Sequence, residues 1–385
     1  MKHILIFNKG FFPAKTYGGP VVSVNNLVKS LNNKFKFTII SSAYEIDGKT
    51  KVIGVEPDLI NKYDRNINTI YIDKKNYNFN FISSKLERLD NIDFVYVNSF
   101  FDVRQFIIAK KICKSLKIKL LIAPRGELEK NALRFKNKKK ILYLLIYKFL
   151  YKNDNNVFFQ ATTDEEAQNI RKYLEVTEKN IYHMKNIPTF QLSEAIIHKE
   201  KVENEINIVF LSRIQIKKNL SFALYILKKI DPSIKIKFDI YGPIENEEYW
   251  QKCNNIITSL GDNIKTRYMG IINHEDIFET FSNYHLFFFP TLSENFGHVI
   301  YEALVSNCPI LISDQTPWSD INSTNVGKAY PLNEEMKFIE YIENIAHLDQ
   351  KSYNKILNEI PLYLNSKIDV EDIIESYNYT FHKLT

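Results

Sequence analysis

The chain has 385 residues, of which 45% are hydrophobic and 25% charged, with a net charge of +6. These values exclude disordered, collagen-like and coiled-coil classes and leave room for two or three folded domains at roughly 100 to 200 residues each. Three widely spaced cysteines, Cys113, Cys253 and Cys308, exclude a disulfide framework or a thiolate metal site and fit a reducing compartment.

The opening MKHILIF, followed at once by Asn8, Lys9 and Gly10, reads as a first buried strand. It lacks the length and small-residue cleavage site of a signal peptide. After Pro20, the residues Val21, Val24, Leu27, Val28 and Leu31 recur at helical spacing, and a proline suits the first turn. Strands are predicted over His3 to Phe7, Phe37 to Ser41, Phe94 to Asn98, Leu120 to Ala123 and Val157 to Gln160. Helical patterns lie between them, which favours a parallel sheet covered on both faces. Between Asn131 and Asn153 no acid occurs; Arg134, Lys136, Lys138, Lys139, Lys140, Lys148 and Lys152 interleave with apolar Ile141 to Tyr147. That segment reads as an amphipathic element on anionic lipid, or as a domain helix with solvated lysines. Its apolar run is far below the roughly 18 to 20 residues of a spanning helix. The expectation is a cytosolic protein, or one lying against the inner face of the cytoplasmic membrane.

The polar stretch Gln191 to Glu205 reads as an interdomain linker. Beyond it strands are predicted over Ile208 to Leu211, Ile236 to Tyr241, Leu286 to Phe289 and Pro309 to Ser313, again with helical candidates after each. The expected architecture is α/β, with two facing Rossmann-like doubly wound domains over 1–190 and 206–368. The segment 369–385 reads as a terminal helix. Charge divides with the domains: residues 1 to 190 hold 33 Lys and Arg against 18 Asp and Glu, a balance of +15, and residues 191 to 385 hold 18 against 27, or −9. In open parallel sheets ligands bind at the carboxyl ends of strands, so two such domains would share a ligand in a cleft.

Three loops after strands carry candidate chemistry. In Phe287 to Leu304 a strand ends at Pro290, a loop carries Glu294, and a helix begins near Gly297 or His298. Unpaired N–H groups at such a helix start attract an anion such as a diphosphate. Glu302 falls one turn inside, and two carboxylates bracketing the anion could accept sugar hydroxyls. In Ser212 to Leu220, Arg213 offers a planar fork for phosphate oxygens and Lys218 a point charge. Cations before a helix oppose its dipole, which is more sensible if an anion binds between them. The third loop ends in Gly18-Gly19-Pro20, where a backbone amide could touch a phosphate or form a plain turn. No dinucleotide fingerprint and no phosphate-binding P-loop occurs. No nucleic-acid motif accompanies the basic charge.

The order Gly-Gly-Pro, Arg213 and Lys218, then Glu294 and Glu302, resembles the retaining glycosyltransferases of family 4, which have the GT-B fold. Ala123-Pro124-Arg125-Gly126, Ala161 to Glu166, and Ser313 to Trp318 resemble the bacterial surface-polysaccharide members. The resemblance implies that Arg213 and Lys218 hold the donor diphosphate without a metal and that Glu302 binds the nucleotide ribose. It also implies that Glu294 contacts the transferred sugar with the backbones of Phe296, Gly297 and His298, and that Gly18 and Gly19 approach the phosphate. Arg125 stands where many members have His, near the transferred sugar; arginine donates only, so it could hold an anion but not act as a base. The resemblance implies an acceptor-binding domain over 1–190 and a nucleotide-sugar-binding domain over 206–368, a nucleotide-diphosphate sugar and a lipid-linked glycan acceptor as partners, and no cofactor or metal; the basic first half adds an anionic membrane surface, and no nucleic acid is expected. The alternatives are a nucleotide-dependent oxidoreductase and a non-catalytic glycan- or membrane-binding protein of the same fold.

Overall fold

The computed structural model describes residues 1–129, 132–133, 137–151, 154–189 and 199–385. Arg134, Lys136 and Lys152 of the basic segment, and residues 191–198 of the expected linker, lie outside the described residues. The chain forms two compact units, Met1–Pro188 with Val370–Thr385, and Thr189–Asp369.

In the first unit the strands are β1 (Lys2–Phe7), β2 (Phe35–Ser42), β3 (Ile60–Asp64), β4 (Ile67–Ile72), β5 (Phe94–Val97), β6 (Lys119–Ile122), β7 (Val157–Ala161) and β8 (Ile181–His183). They form one sheet in the order β3-β4-β2-β1-β5-β6-β7-β8. Every pairing is parallel except β3 with β4, a departure from the expected all-parallel sheet. It is confined to an edge, where a short connection can return the chain. Ile4, Leu5, Ile6 and Phe7 of β1 are fully buried, as a strand flanked by helices on both faces requires. Ile4 pairs with Phe37 on one side and Phe94 on the other.

The helix Gly19–Leu31 buries Val21, Val24, Leu27, Val28 and Leu31, the stripe that the spacing indicates. The helix Val370–Leu384 belongs to this unit. Its Phe381 ring lies 5.5 Å from Phe35 and 5.1 Å from Phe94, both edge-on, and the Tyr377 hydroxyl accepts a 2.6 Å hydrogen bond from Gln160 Nε2.

The second unit contains β9 (Glu205–Leu211), β10 (Lys235–Tyr241), β11 (Ile264–Gly270), β12 (Leu286–Phe289), β13 (Ile310–Ser313) and β14 (Gly327–Tyr330). They form a wholly parallel sheet, ordered β11-β10-β9-β12-β13-β14. The chain runs outward from β9 through β10 to β11, then reverses to β12 on the other side of β9. Loops leaving β9 and β12 therefore diverge at a topological switch point, where doubly wound sheets bind ligands. In the first unit β1 and β5 have the same relationship. Lys199 and Lys201, inside the segment read as linker, are buried against the second unit: Lys199 Nζ donates to Phe281 O at 3.4 Å and to Tyr284 O, and Lys201 Nζ to Ala346 O at 2.7 Å.

Candidate active site

The loops leaving β9 and β12 are stitched together by backbone and side-chain bonds. The carbonyl of Lys217 accepts from Leu292 N at 2.8 Å and from Thr291 Oγ1 at 3.2 Å. Through this seam Lys218 Nζ reaches Glu294 Oε1 as an ion pair, with the ammonium 5.3 Å from the Phe289 ring centroid. Both side chains are nearly excluded from solvent. Burial raises Glu294, but the charges of Lys218, Lys217 and Arg213 outweigh it and hold the carboxyl below its ordinary range. Burial in turn lowers Lys218, against the opposing field of Glu294. The pair is best described as ammonium and carboxylate, since each charge is the other's compensation.

Arg213 Nη1 donates to Glu245 Oε2 at 2.8 Å. The cations read as needing an anion are thus met within the protein by carboxylates, Arg213 by Glu245 and Lys218 by Glu294. Arg213 is positioned by a close approach of two strand ends. Gly242, just after β10, has φ +130, and a Cβ there would lie 2.0 Å from Ser212 O. Ile214 N then donates to Pro243 O at 2.8 Å. Only glycine fits that contact.

The β12 loop is clamped from its far side. Glu294 N donates to Gln315 O at 3.0 Å, and Trp318 Nε1 donates to Phe296 O at 2.6 Å. Gly297 follows at φ +77 and precedes the helix His298–Val305. A Cβ on Gly297 would lie 2.8 Å from the Ile300 side chain, so the tight entry into the helix needs glycine. The first N–H groups of a helix lack intrahelical acceptors; here Ile300 N at 2.8 Å and Tyr301 N at 3.3 Å fold back onto Gly297 O, three residues after Glu294. His298 is buried, its ring 4.8 Å from that of Phe296 in an edge contact.

Glu302 sits one turn into this helix and is buried. Its Oε1 receives no hydrogen bond from the described residues; the His274 imidazole Nδ1 stands 4.0 Å away. Burial pushes the carboxyl up to about 8. A buried acceptor without a donor is costly, and a ligand bearing hydroxyls would satisfy it.

In the first unit Arg125 follows β6 and Gly18 precedes the helix Gly19–Leu31. Gly18 has φ +67, and its carbonyl accepts from Val21 N at 3.0 Å. The Arg125 guanidinium donates through Nε to Asn98 Oδ1 at 2.8 Å, through Nη2 to Tyr96 Oη at 2.6 Å, and through Nη1 to Asn186 Oδ1. Asn98 Nδ2 in turn donates to Asn8 Oδ1 at 3.0 Å and to Pro20 O at 3.3 Å, which joins Arg125 to the Gly18-Gly19-Pro20 loop. Tyr96 Oη donates to Gln160 Oε1 at 2.8 Å, so the same network extends to Tyr377. Three of the five guanidinium N–H groups are used in this way.

The sequence reading did not single out Glu245, Gly242, Asn8, Asn98, Tyr96 or Asn186. Asn8 and Asn98 each directly follow a strand flanking the switch point of the first sheet, and that placement was the available signal. Glu245 leaves no trace near Arg213 in the sequence, because the pair closes over 32 residues.

Residues 193–360 match the family model described as Glycosyl transferases group 1. A curated relative, the UDP-N-acetylglucosamine--peptide N-acetylglucosaminyltransferase GtfA subunit of Streptococcus agalactiae, is 23% identical over 260 residues, 63% of this chain and 49% of the relative. The match spans about half of that relative's length. Among solved structures, sucrose-phosphate synthase from Thermosynechococcus elongatus superposes with a TM-score of 0.75 at 14% identity, covering 100% of this chain and 99% of that one. Anabaena HepE, solved in complex with UDP and glucose, gives 0.71 at 12% identity over 100% of both chains. WaaG, a glycosyltransferase of lipopolysaccharide biosynthesis, gives 0.67 at 12% identity over 97% of this chain and 98% of that one. The chain is therefore built of two α/β units with the GT-B glycosyltransferase fold, residues 193–360 of the second being similar to the Glycosyl transferases group 1 family.

Proposed function

We propose that the protein is a retaining glycosyltransferase that moves a sugar from a nucleotide-diphosphate donor to a lipid-linked glycan of bacterial surface-polysaccharide biosynthesis. The observation that carries the reading is the second unit's arrangement at the start of the helix His298–Val305. The backbone amides of the helix entrance, Glu294 with its ion-pair partner Lys218, and the undonated Glu302 carboxylate oxygen are gathered at that start. A diphosphate matches the amides and cations, and a ribose diol matches Glu302. The family match over residues 193–360 and the UDP complex of HepE support the choice of a nucleotide.

In this reading Arg213 and Lys218 offset the charge that develops as the nucleoside diphosphate departs, the part a metal would otherwise play. Glu294 contacts the transferred sugar, and the amides around Phe296, Gly297 and His298 hold the phosphates. The acceptor hydroxyl attacks the anomeric carbon on the face from which the diphosphate leaves. As its oxygen bonds to that carbon, the carbon–phosphate oxygen bond breaks and the hydroxyl proton passes to the departing phosphate. The anomeric configuration is kept, and no cofactor enters the balance. Within the first unit, Gly18, Gly19 and Arg125, the last held in place by Asn98, Tyr96 and Asn186, are the proposed substrate-binding residues.

The experiment is a transfer assay in EDTA with a panel of nucleotide sugars, followed by NMR of the product anomer and by the variants Glu294→Ala and Arg213→Ala. Turnover without metal, a retained anomer and loss of turnover in both variants are expected. Intact turnover in both variants, with normal donor binding, would remove these residues from the site.

A further inference from the structure

The helix Asn137–Tyr151 is inside out by the usual standard of a globular protein. Its inner face carries Tyr143, Tyr147 and Tyr151 at intervals of four, packed on Phe100 and Phe106 with ring centroids 5.2 to 5.8 Å apart. On its outer face Ile141, Leu142, Leu145, Ile146 and Phe149 are between 47% and 88% exposed, Phe149 most of all. At about 100° per residue these five occupy one arc of about 140°. Outer faces of surface helices ordinarily carry charge, and a contiguous apolar patch marks a contact.

The surroundings of this patch are basic. Lys138 and Lys139 are exposed at the start of the helix. Where the helix ends, a groove of about 570 Å³ is lined by Lys110, Lys111, Lys114, Lys117 and Tyr151 among others; its one carboxylate, Asp154, is already paired with Lys110. Ile107, on the rim of the same groove, is exposed as well. Among the described residues no helix is long and apolar enough to cross a membrane.

We propose that this face docks on an anionic phospholipid bilayer, with the five apolar side chains at the acyl boundary and the lysines over the headgroup phosphates. Charge complementarity selects that occupant. A second copy of the chain, meeting the patch through a two-fold axis, would set the same lysines against each other. A bilayer with acidic headgroups supplies both the apolar layer and the counter-charge. The inference deepens the lipid-linked acceptor reading by naming the surface that brings the enzyme to it. Its grounds are the helix face and its charge, and its readout needs no turnover.

The test is co-sedimentation of the full chain with vesicles of phosphatidylcholine alone and of phosphatidylcholine with phosphatidylglycerol, at low and high salt. Binding to the anionic vesicles, weakened by salt, is expected. The triple variant Leu142→Ser, Leu145→Ser, Phe149→Ser, and separately the charge variant Lys111→Glu, Lys114→Glu, should each lower the partition coefficient at least about tenfold. These side chains are exposed, and unchanged circular dichroism and melting temperature confirm folding; if the triple variant does not fold, Phe149→Ser alone carries the apolar half. Equal binding to both vesicle types, no binding to either, or variants that bind as well as the parent overturn the proposal. A concentration-dependent dimer abolished by the triple variant, without vesicle binding, would assign the face to a second copy instead.

Discussion

Lys218 and Glu294 meet as an ion pair between two loops that leave neighbouring strands at the switch point of the second sheet. The pair joins residues 76 positions apart and does so where water is nearly excluded. Its members compensate one another, and each is exposed to a large penalty if the other is removed.

Lys218→Met or Glu294→Gln alone therefore lowers unfolding stability, by about 3 kcal/mol for the lysine variant, which strands a buried carboxylate. The double variant recovers much of that loss, because no uncompensated charge remains. Urea unfolding of the four proteins in a double-mutant cycle measures the coupling. Additive losses would mean that the two groups do not interact in solution.

Glu302 makes the stability of the second unit depend on pH. Its carboxyl is raised from an ordinary 4.5 to about 8 by burial, so between those values the folded chain holds a proton that the unfolded chain has lost. Stability from this group is complete below the lower value and declines as pH rises through the window. Glu302→Gln, which cannot ionise, should exceed the parent in stability above pH 8 by up to about 5 kcal/mol. Melting temperatures from pH 5 to about 9 check the sign. The same group predicts that nucleotide affinity climbs with pH up to about 8, because ribose hydroxyls favour the ionised form, and that calorimetry shows a proton released on binding. A flat pH profile shared by parent and Glu302→Gln would separate Glu302 from the nucleotide.

Gly242→Ala tests the positioning of Arg213. The added methyl would meet Ser212 O at 2.0 Å, at φ +130. Strain and backbone displacement together should cost about 3 kcal/mol. Because Ser212 directly precedes Arg213, donor affinity should fall with it. A variant as stable and as tightly binding as the parent would show that the two strand ends part freely.

Arg125→Lys keeps the charge and loses the geometry. One ammonium cannot reproduce the three directions in which the guanidinium meets Asn98, Tyr96 and Asn186. Loss of about 2 kcal/mol is expected from the unmatched buried acceptors, along with a lowered turnover through the loosened Gly18-Gly19-Pro20 loop. Unchanged stability and turnover would contradict the network's role.

Much of the architecture is legible in the chain because buried parallel strands write themselves as apolar runs. Leu286–Phe289 is read with its bounds intact, and the helix after Pro20 shows its inner stripe. Edge and short strands are less visible. The outer strand Ile264–Gly270 is mostly exposed and carries Lys265 and Arg267, Ile181–His183 has three residues, and Gly327–Tyr330 has no β-branched residue. Ile67–Ile72, rich in isoleucine, carries the signature that would have revealed it.

At the site, Glu294 and Glu302 stand out because strand, loop, glycine and helix follow in order. Arg213 stands out as a fork-shaped cation after a strand. What balances it does not, since Glu245 becomes its neighbour only when β9 and β10 align. The same holds for Arg125, whose three acceptors come from the end of β5 and from the loop after β8. Long-range closure, rather than local pattern, decides which charges are paired in the folded chain.

The central claim is that the second unit binds a nucleoside diphosphate through Arg213, Lys218 and Glu302. Thermal unfolding with a panel of nucleoside diphosphates, their sugar conjugates, and NAD and NADP, all in EDTA, tests it most directly, because a ligand of the native state raises the melting temperature by mass action. The account predicts stabilisation by one nucleoside diphosphate and its sugar conjugates, lost in Arg213→Ala. Stabilisation by NAD or NADP alone, or equal stabilisation of the parent and Arg213→Ala, would contradict it.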